Sequence, residues 1–326
     1  MADQRWLLAL DFGGSKLSAA VRPAEQLPAM PGPLQVRRMP SGSRPSFDSD
    51  WWRMLELVRA LLHEAAPSAI GVSFGGPVNA AAGRVVLSQH VAGWEDVPLA
   101  QRLQAELHAP ALVDNDANVA ALGEWHVGAG RGCDSLLYVT ASTGVGGGWV
   151  LGGRIWHGAD SLAGEIGHII VQPDGPPCSC GKRGCVEALA AGPNLARRAR
   201  EALAADERAG KILRERAHGE LDQITAEQVA EAANLGDELA GQILLGAARA
   251  LGQGLGIAIN LMNPRRVVLG GGVTKAGEPW WQAVRDAARH QTLPQMSVEI
   301  VPAALGDDAP LWGALALAES IAPDPL

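Results

Sequence analysis

The 326-residue chain has no uninterrupted apolar stretch of 18 residues, about the length a helix needs to cross a bilayer. Its opening, "MADQRWLLALDFGGS", carries an apolar run that Asp11 cuts short, too brief for a secretory leader. A cytoplasmic protein with no membrane partner is expected. Cationic excess is missing as well: 27 Lys and Arg stand against 35 Asp and Glu, a formal charge of −8. The concentrated positive surface that grips nucleic acid or anionic lipid is therefore not expected. Low-complexity tails and short-period repeats are absent, which excludes solenoids and arrays. Cysteine is scarce, four residues in all, yet Cys178, Cys180 and Cys185 fall inside eight positions.

What is present has the balance of a globular chain: 47% of residues are hydrophobic and 19% charged, too apolar for disorder. The length predicts two domains. Short apolar runs at residues 6–10, 69–73, 111–113, 136–139 and 267–269 read as strands, separated by segments of helical periodicity such as 51–63. That alternation predicts an α/β architecture. Two runs end alike, "LLALDFGGSK" and "LLYVTASTGVGGG", which predicts two related α/β halves facing one another. Residues 197–260 read as helical scaffold, with Thr225 as N-cap, Gln228 as its capping-box partner and an Ile224–Val229 staple. Proline and glycine gather at 28–45, a surface excursion between strands, and at 173–184, a loop that needs something to hold it.

Three glycine loops follow three apolar runs: "DFGGSK", "STGVGGG" and "VVLGGGV". Glycines there let backbone N–H groups approach a phosphate, and Ser15 and Lys16 add a hydroxyl and a charge. A tight hairpin turn with glycine at positive φ is the alternative for the first. Asp11 is an odd choice for a mere turn, because a carboxylate ending a buried strand needs a partner, and hydrated Mg²⁺ would supply one. A P-loop of the GxxxxGK[ST] form is missing, and "GQGLGIA" lies in a helical pattern where a dinucleotide fingerprint would follow a strand.

"ALVDNDANVAALGEW" puts Asp114, Asn115 and Asp116 between a strand and a helix. A helix N-terminus keeps a carboxylate ionised, as a general base requires, but Asp and Asn are also preferred N-caps, so both roles stay open for the trio. Glu165 and His168 in "GEIGH" and Glu187 in "GCVEALAAG" flank the cysteines. They are either solvated charges or paired acceptors for sugar hydroxyls brought together by whatever clamps the loop. The spacing His168-x9-Cys178-x-Cys180-x4-Cys185 supplies one imidazole and three thiolates, the ligand set of a closed structural zinc site. A disulfide or idle thiols is the alternative, and Cys133, standing apart, reads as a buried thiol.

Together these residues resemble the ROK group of bacterial sugar kinases, within the actin/hexokinase-like (ribonuclease H-like) fold. The likeness runs over nearly the whole chain, through "DFGGSK", "GVSFGGPVN", "VDNDANVAALGE", "STGVGGG", "GEIGH", "CSCGKRGCVEALAAG", "INLMNPRRVVLGGGV" and "ALGDDAPLWGALALA". It implies a two-domain α/β protein with an interdomain cleft: a small N-terminal domain of residues 1–117, rejoined near 301–326, and a large domain of 118–300 carrying the zinc loop and the surface of a homodimer or homotetramer. The resemblance implies ATP and Mg²⁺ held by Asp11, Gly13, Gly14, Ser15, Lys16, Thr143, Gly144, Gly271 and Gly272. It makes Asp116 the catalytic base and gives the sugar to Gly76, Asn79, Asn115, Asp116, Glu165, His168 and Glu187. His168 would serve doubly, with Cys178, Cys180 and Cys185 on zinc. The implied activity is ATP-dependent phosphorylation of a hexose 6-hydroxyl, glucose foremost, with N-acetylmannosamine or another N-acetylhexosamine as the alternative acceptor. Two departures bear on the sugar: His90 in "QHVAGW" replaces a usual asparagine, and "GGPVN" from Gly75 to Asn79 is similar also to N-acetylmannosamine kinases. A sugar-responsive repressor or a non-catalytic sensor is the reading from another class. The first needs a DNA-binding module ahead of a phosphate motif that already begins at Asp11, and the second is expected to alter Asp116.

Overall fold

A computed structural model of the chain describes residues 5–26, 34–42, 44–88 and 91–323. In chain order it runs β1 (Trp6–Phe12), β2 (Lys16–Pro23), β3 (Gln35–Pro40), α1 (Phe47–Leu62), β4 (Pro67–Phe74), β5 (Val78–Asn79), β6 (Arg84–Val85), α2 (Leu99–Leu107), β7 (Ala111–Asn115) and α3 (Asp116–Val127). There follow β8 (Ser135–Ala141), β9 (Val145–Leu151), β10 (Arg154–Ile155), α4 (Val186–Ala190), α5 (Gly192–Ala205), α6 (Lys211–Arg216), α7 (Ala226–Asn234) and α8 (Glu238–Met262). The chain ends with β11 (Arg266–Gly270), α9 (Glu278–Gln291), β12 (Glu299–Pro302) and α10 (Ala309–Glu319).

All five apolar runs read as strands lie in β1, β4, β7, β8 and β11. α1 starts earlier than its periodicity suggested because Ser46 and Ser49 cap it reciprocally: the Ser46 N–H donates to the Ser49 hydroxyl at 2.9 Å and the Ser49 N–H to the Ser46 hydroxyl at 3.3 Å. The capping box at α7 is present too, with the Thr225 N–H donating to Gln228 Oε1 at 2.9 Å and the Gln228 N–H to Thr225 Oγ1 at 3.3 Å. Of the excursion at 28–45, residues 35–40 form β3 against β2, and 28–33 and 43 lie outside the described residues.

The strand orders β3-β2-β1-β4-β7 and β10-β9-β8-β11-β12 repeat one plan. In each, the first strand of the half is central and is flanked by the hairpin that follows it on one side and by two later strands on the other. This is the duplication that the two similar strand ends announced.

By compactness the chain divides into unit 1, made of Met1–Tyr138, Gly148–Ala163 and Ala303–Leu326, and unit 2, made of Val139–Gly147 and Gly164–Pro302. The boundary expected after residue 117 falls inside α3. That helix packs against α10 and against the first sheet and stays whole in unit 1.

In unit 1 both faces of the sheet are covered, so its strands read as continuous apolar runs. Leu8, Leu10 and Phe12 of β1 join Met54 and Val58 of α1 and Leu103 of α2 on one side. Leu7 and Ala9 face the other side with Val119 and Leu122 of α3 and Leu311, Trp312 and Leu315 of α10. α3 and α10 touch backbone to backbone: a Cβ on Gly313 would lie 1.7 Å from the Val119 carbonyl oxygen, so only glycine permits the approach. Glu124 of α3 is fully buried and accepts N–H bonds from Ala129 at 2.8 Å, Ala304 at 3.1 Å and Leu305 at 2.8 Å, pinning the returning chain to this helix.

In unit 2, α8 packs against α4, α5, α7 and α9. Among the described residues it is the one helix long and apolar enough to cross a membrane, but 67% of its most apolar window is buried inside the protein, which is the character of a core helix.

Candidate active site

In unit 1 the pleat lines up a row of polar side chains near the C-terminal ends of three parallel strands. The register pairs Asp11 of β1 with Ser73 of β4, and Ser73 with Asp114 of β7. The period of two puts all three on the face covered by α3 and α10. Asp11 is 6% exposed, and its Oδ1 accepts a hydrogen bond from the Ser73 hydroxyl at 2.8 Å. Burial pushes the Asp11 carboxyl up to about 6; the Ser73 hydrogen bond opposes the rise, the Asp116 carboxylate adds to it, and Lys16 and Arg38 pull it back. Lys16 and Arg38 do not offset the burial, and a hydrated divalent cation fits that need. No local sequence signal beyond a polar residue in an apolar strand pointed to Ser73.

Asp114, 3% exposed, organises the turn from β7 into α3. Its Oδ1 accepts from the Asn115 N–H at 2.7 Å and the Asn118 side-chain amide at 3.0 Å, and its Oδ2 meets Nε2 of His157 at 2.5 Å. That hydrogen bond holds the His157 imidazole protonated above its ordinary range, against the opposing effect of burial. The Asp-Asn-Asp trio thus divides its roles. Asn115 is the N-cap of α3, accepting from the Ala117 N–H at 3.0 Å while its side-chain amide donates to the Gly76 carbonyl at 3.0 Å. Asp116, the first helical residue, shares the Ala117 N–H at 2.8 Å through Oδ1. Its Oδ2 lies 3.7 Å from where a Gly75 Cβ would stand, a place that the Phe12 carbonyl at 3.3 Å and Gly13 Cα at 3.8 Å also line, so the carboxylate sits close to the turn after β1.

Asn79, expected on the sugar side, accepts the Ala82 N–H at 3.1 Å through Oδ1, a turn bond after β5. His90 lies outside the described residues. The "DFGGSK" loop is the hairpin turn between β1 and β2, closed by the Gly13 N–H donating to the Lys16 carbonyl at 3.1 Å. Neither Gly13 nor Gly14 has positive φ, so the hairpin forms without the backbone conformation that only glycine favours. Gly14 and Ser15 are exposed at its tip, and Lys16 Nζ sits 3.1 Å from Asp307.

In unit 2, Gly271 follows β11 at φ +90, and a Cβ there would lie 2.3 Å from the Ala141 carbonyl oxygen, so the "GGG" loop can pass the end of β8 only as glycine. The bend at 142–144 is held by the Ser142 N–H donating to the Gly144 carbonyl and the Gly192 N–H donating to the Ser142 carbonyl. Thr143, Gly144 and Gly272 lie partly or fully open there. Glu187, on the first turn of α4, ties this bend to the cysteine loop: Oε2 accepts the Val145 N–H at 3.1 Å and Oε1 the Ser179 hydroxyl at 3.1 Å. Glu165 reaches His168 Nε2 at 3.8 Å. Burial raises its carboxyl above the usual range, His168 opposes this and Glu187 adds to it.

His168, Cys178, Cys180 and Cys185 converge, their donor atoms all within 4.8 Å of one another. Cys178 Sγ is 3.7 Å from His168 Nδ1 and Cys180 Sγ 3.7 Å from Cys185 Sγ. A tetrahedral centre with about 2.3 Å bonds to sulfur has edges of about 3.8 Å, so the cluster fits zinc. The four cysteines are free thiols. Burial, with help from the neighbouring thiols, pushes the Cys185 thiol up to about 12, whereas the Lys182 backbone lowers that of Cys180. A dication would reverse the first effect by replacing the proton. Cys133 is buried apart from the cluster.

The model of the ROK family matches residues 7–321. A glucokinase of Halalkalibacterium halodurans is 39% identical over 256 residues, covering 77% of this chain and 76% of its own. The ROK hexokinase from Thermus thermophilus superposes with a TM-score of 0.80 at 33% identity, covering 96% of this chain and 97% of that one. A ROK family glucokinase from Streptomyces griseus, solved with glucose and AMPPNP, gives 0.81 at 29% identity over 97% and 99%.

Proposed function

The chain belongs to the ROK family, and from that premise we propose that it is an ATP-dependent sugar kinase acting on the 6-hydroxyl of a hexose, glucose foremost. The observation that carries this reading is the division of roles at the start of α3, where Asn115 caps the helix and the Asp116 carboxylate lies against Gly75, at a place the turn after β1 also lines through Phe12 and Gly13. In the proposed step Asp116 accepts the proton of the sugar hydroxyl as its oxygen bonds to the γ-phosphorus and the bond to the β-γ bridging oxygen breaks, releasing ADP.

Asp11 is the proposed holder of Mg²⁺, which when bound supplies charge neutralisation at the phosphates. The hairpin at Gly13, Gly14, Ser15 and Lys16, with Thr143, Gly144, Gly271 and Gly272, is assigned to ATP. Gly76, Asn79, Asn115, Glu165, His168 and Glu187 are assigned to the sugar. Zinc on His168, Cys178, Cys180 and Cys185 would fix the loop that aims Glu165 and Glu187. Assembly as a homodimer or homotetramer belongs to the same reading and is checked by light scattering.

The test is ADP release across glucose, mannose, fructose, allose, N-acetylglucosamine and N-acetylmannosamine, with Asp116→Asn as the blank. Turnover confined to glucose or its near epimers supports the hexokinase reading, and preference for an acetamido sugar moves the assignment to an N-acetylhexosamine kinase. Silence on every sugar, with one of them bound tightly, overturns the kinase reading in favour of a sensor.

A further inference from the structure

We propose that His157 is a positioning residue for phosphoryl transfer, holding the corner between β7 and α3 through Asp114 so that Asp116 keeps its aim. The proposal rests on the reading of Asp116 as base. Asp114 is a buried carboxylate with its two oxygens divided between two tasks. Oδ1 gathers the Asn115 N–H and the Asn118 side chain, fixing the residues on either side of Asp116. Oδ2 is bonded to Nε2 of His157 at 2.5 Å.

At 3% exposure Asp114 is covered on its Oδ2 side by His157, so removing the ring replaces a fixed donor by mobile water at best. The carboxylate then loses the anchor of its Oδ2 and can rotate. Rotation alters the Oδ1 bonds at the point where the backbone passes from extended Asn115 (φ −63, ψ 144) to helical Asp116. His157 is itself held from its own loop, its carbonyl accepting the Ala163 N–H at 3.0 Å and the preceding Trp156 N–H donating to Trp149 at 2.9 Å. With 35% of its side chain exposed, the imidazole has room for substitutes of similar reach. None of these contacts touches the space beside Gly75, so the residue acts only through Asp114.

The experiment compares kcat and KM of wild type, His157→Ala, His157→Gln, Asp116→Asn and the double variant His157→Ala/Asp116→Asn, with the best acceptor of the sugar panel and with melting curves for each. Misplacing a reacting group by about 1 Å costs up to about a hundredfold, so His157→Ala is expected to lose about ten- to a hundredfold in kcat with KM for ATP changed less than about threefold. His157→Gln, whose amide N–H donates to Asp114 without a charge, is expected to recover most of that loss. The double variant is expected to be no slower than Asp116→Asn alone, because a residue that works by aiming the base has nothing left to aim. Wild-type kcat in His157→Ala, a glutamine variant as slow as alanine, or additive losses in the double variant each overturn the positioning role while a silent Asp116→Asn leaves the base in place. Full turnover in Asp116→Asn removes the base itself, and the positioning role falls with it.

Discussion

Replacing Asp11 by asparagine is expected to stabilise the ligand-free protein at neutral pH while abolishing turnover, if Asp11 holds the metal. Burial lifts this carboxyl from 3.8 to about 6. The folded chain therefore binds the proton more tightly than the unfolded chain, and between those two values it carries more protons. Stability is highest below the unfolded pKa and falls as pH rises through the folded one. The full shift corresponds to about 3 kcal/mol, of which about 2 kcal/mol is lost between about pH 4.5 and 7.5. Asparagine does not titrate and keeps an oxygen to accept the Ser73 hydroxyl, so its stability lacks this component. Urea titrations of both proteins at those two pH values, without ATP or Mg²⁺ and followed by tryptophan fluorescence, read the difference. Contributions from His157 and other groups common to both proteins cancel. The variant should gain about 2 kcal/mol relative to wild type on going to the higher pH. A difference that does not change with pH would refute the placement of an uncompensated carboxylate at Asp11.

Cys180→Ser should lower bound zinc, measured by atomic emission, from about one per chain and open the 173–184 loop to protease; full zinc with unchanged protection and unchanged sugar KM counts against the clamp. Gly313→Ala drives a methyl group into the Val119 carbonyl and should cost about 1–3 kcal/mol by chemical denaturation, with an unchanged midpoint showing that α3 and α10 separate freely. Glu124→Ala removes the acceptor of the Ala304 and Leu305 N–H groups and should destabilise by about 2–3 kcal/mol, with amide exchange at residues 304 and 305 accelerated. Protection at those two amides equal to wild type is the outcome that rejects it.

Strands buried on both faces were the most legible part of the sequence, because a run such as "WLLALDF" has few other uses, and the repeated strand ends disclosed the duplication. The capping box at Thr225 was legible because it is wholly local. The cysteine cluster was legible from ligand chemistry, since four donors at such spacing must meet. The sequence left "DND" open between capping and chemistry; only the direction of each side chain separates Asn115, which caps, from Asp114, which organises, and Asp116, which lies against Gly75. His157 was invisible for a different reason. It stands 43 residues from its partner in a loop, where no periodicity operates, and only folding brings a single ring to the buried oxygen. The turn bond of Asn79 and the attachment of Glu187 to Val145 escaped notice in the same way, being set by backbone amides that every sequence contains.

The three-part make-up of unit 1 imposes an order on biosynthesis. Leu7, Ala9 and Ala69 leave the ribosome early, but their cover, Leu311, Trp312 and Leu315, is translated only after the whole of unit 2. Throughout that interval a nascent chain has only α3 to cover this apolar face of its first sheet, and the contacts that close it are among the longest in sequence separation, which slows closure and invites association between chains. A polypeptide stalled before residue 303 contains every residue assigned to catalysis yet lacks the helix that seats α3, and Glu124 has no returning amides to receive. Competence therefore waits until residues 303–319 have been translated, and protection by a holdase is needed most just before then.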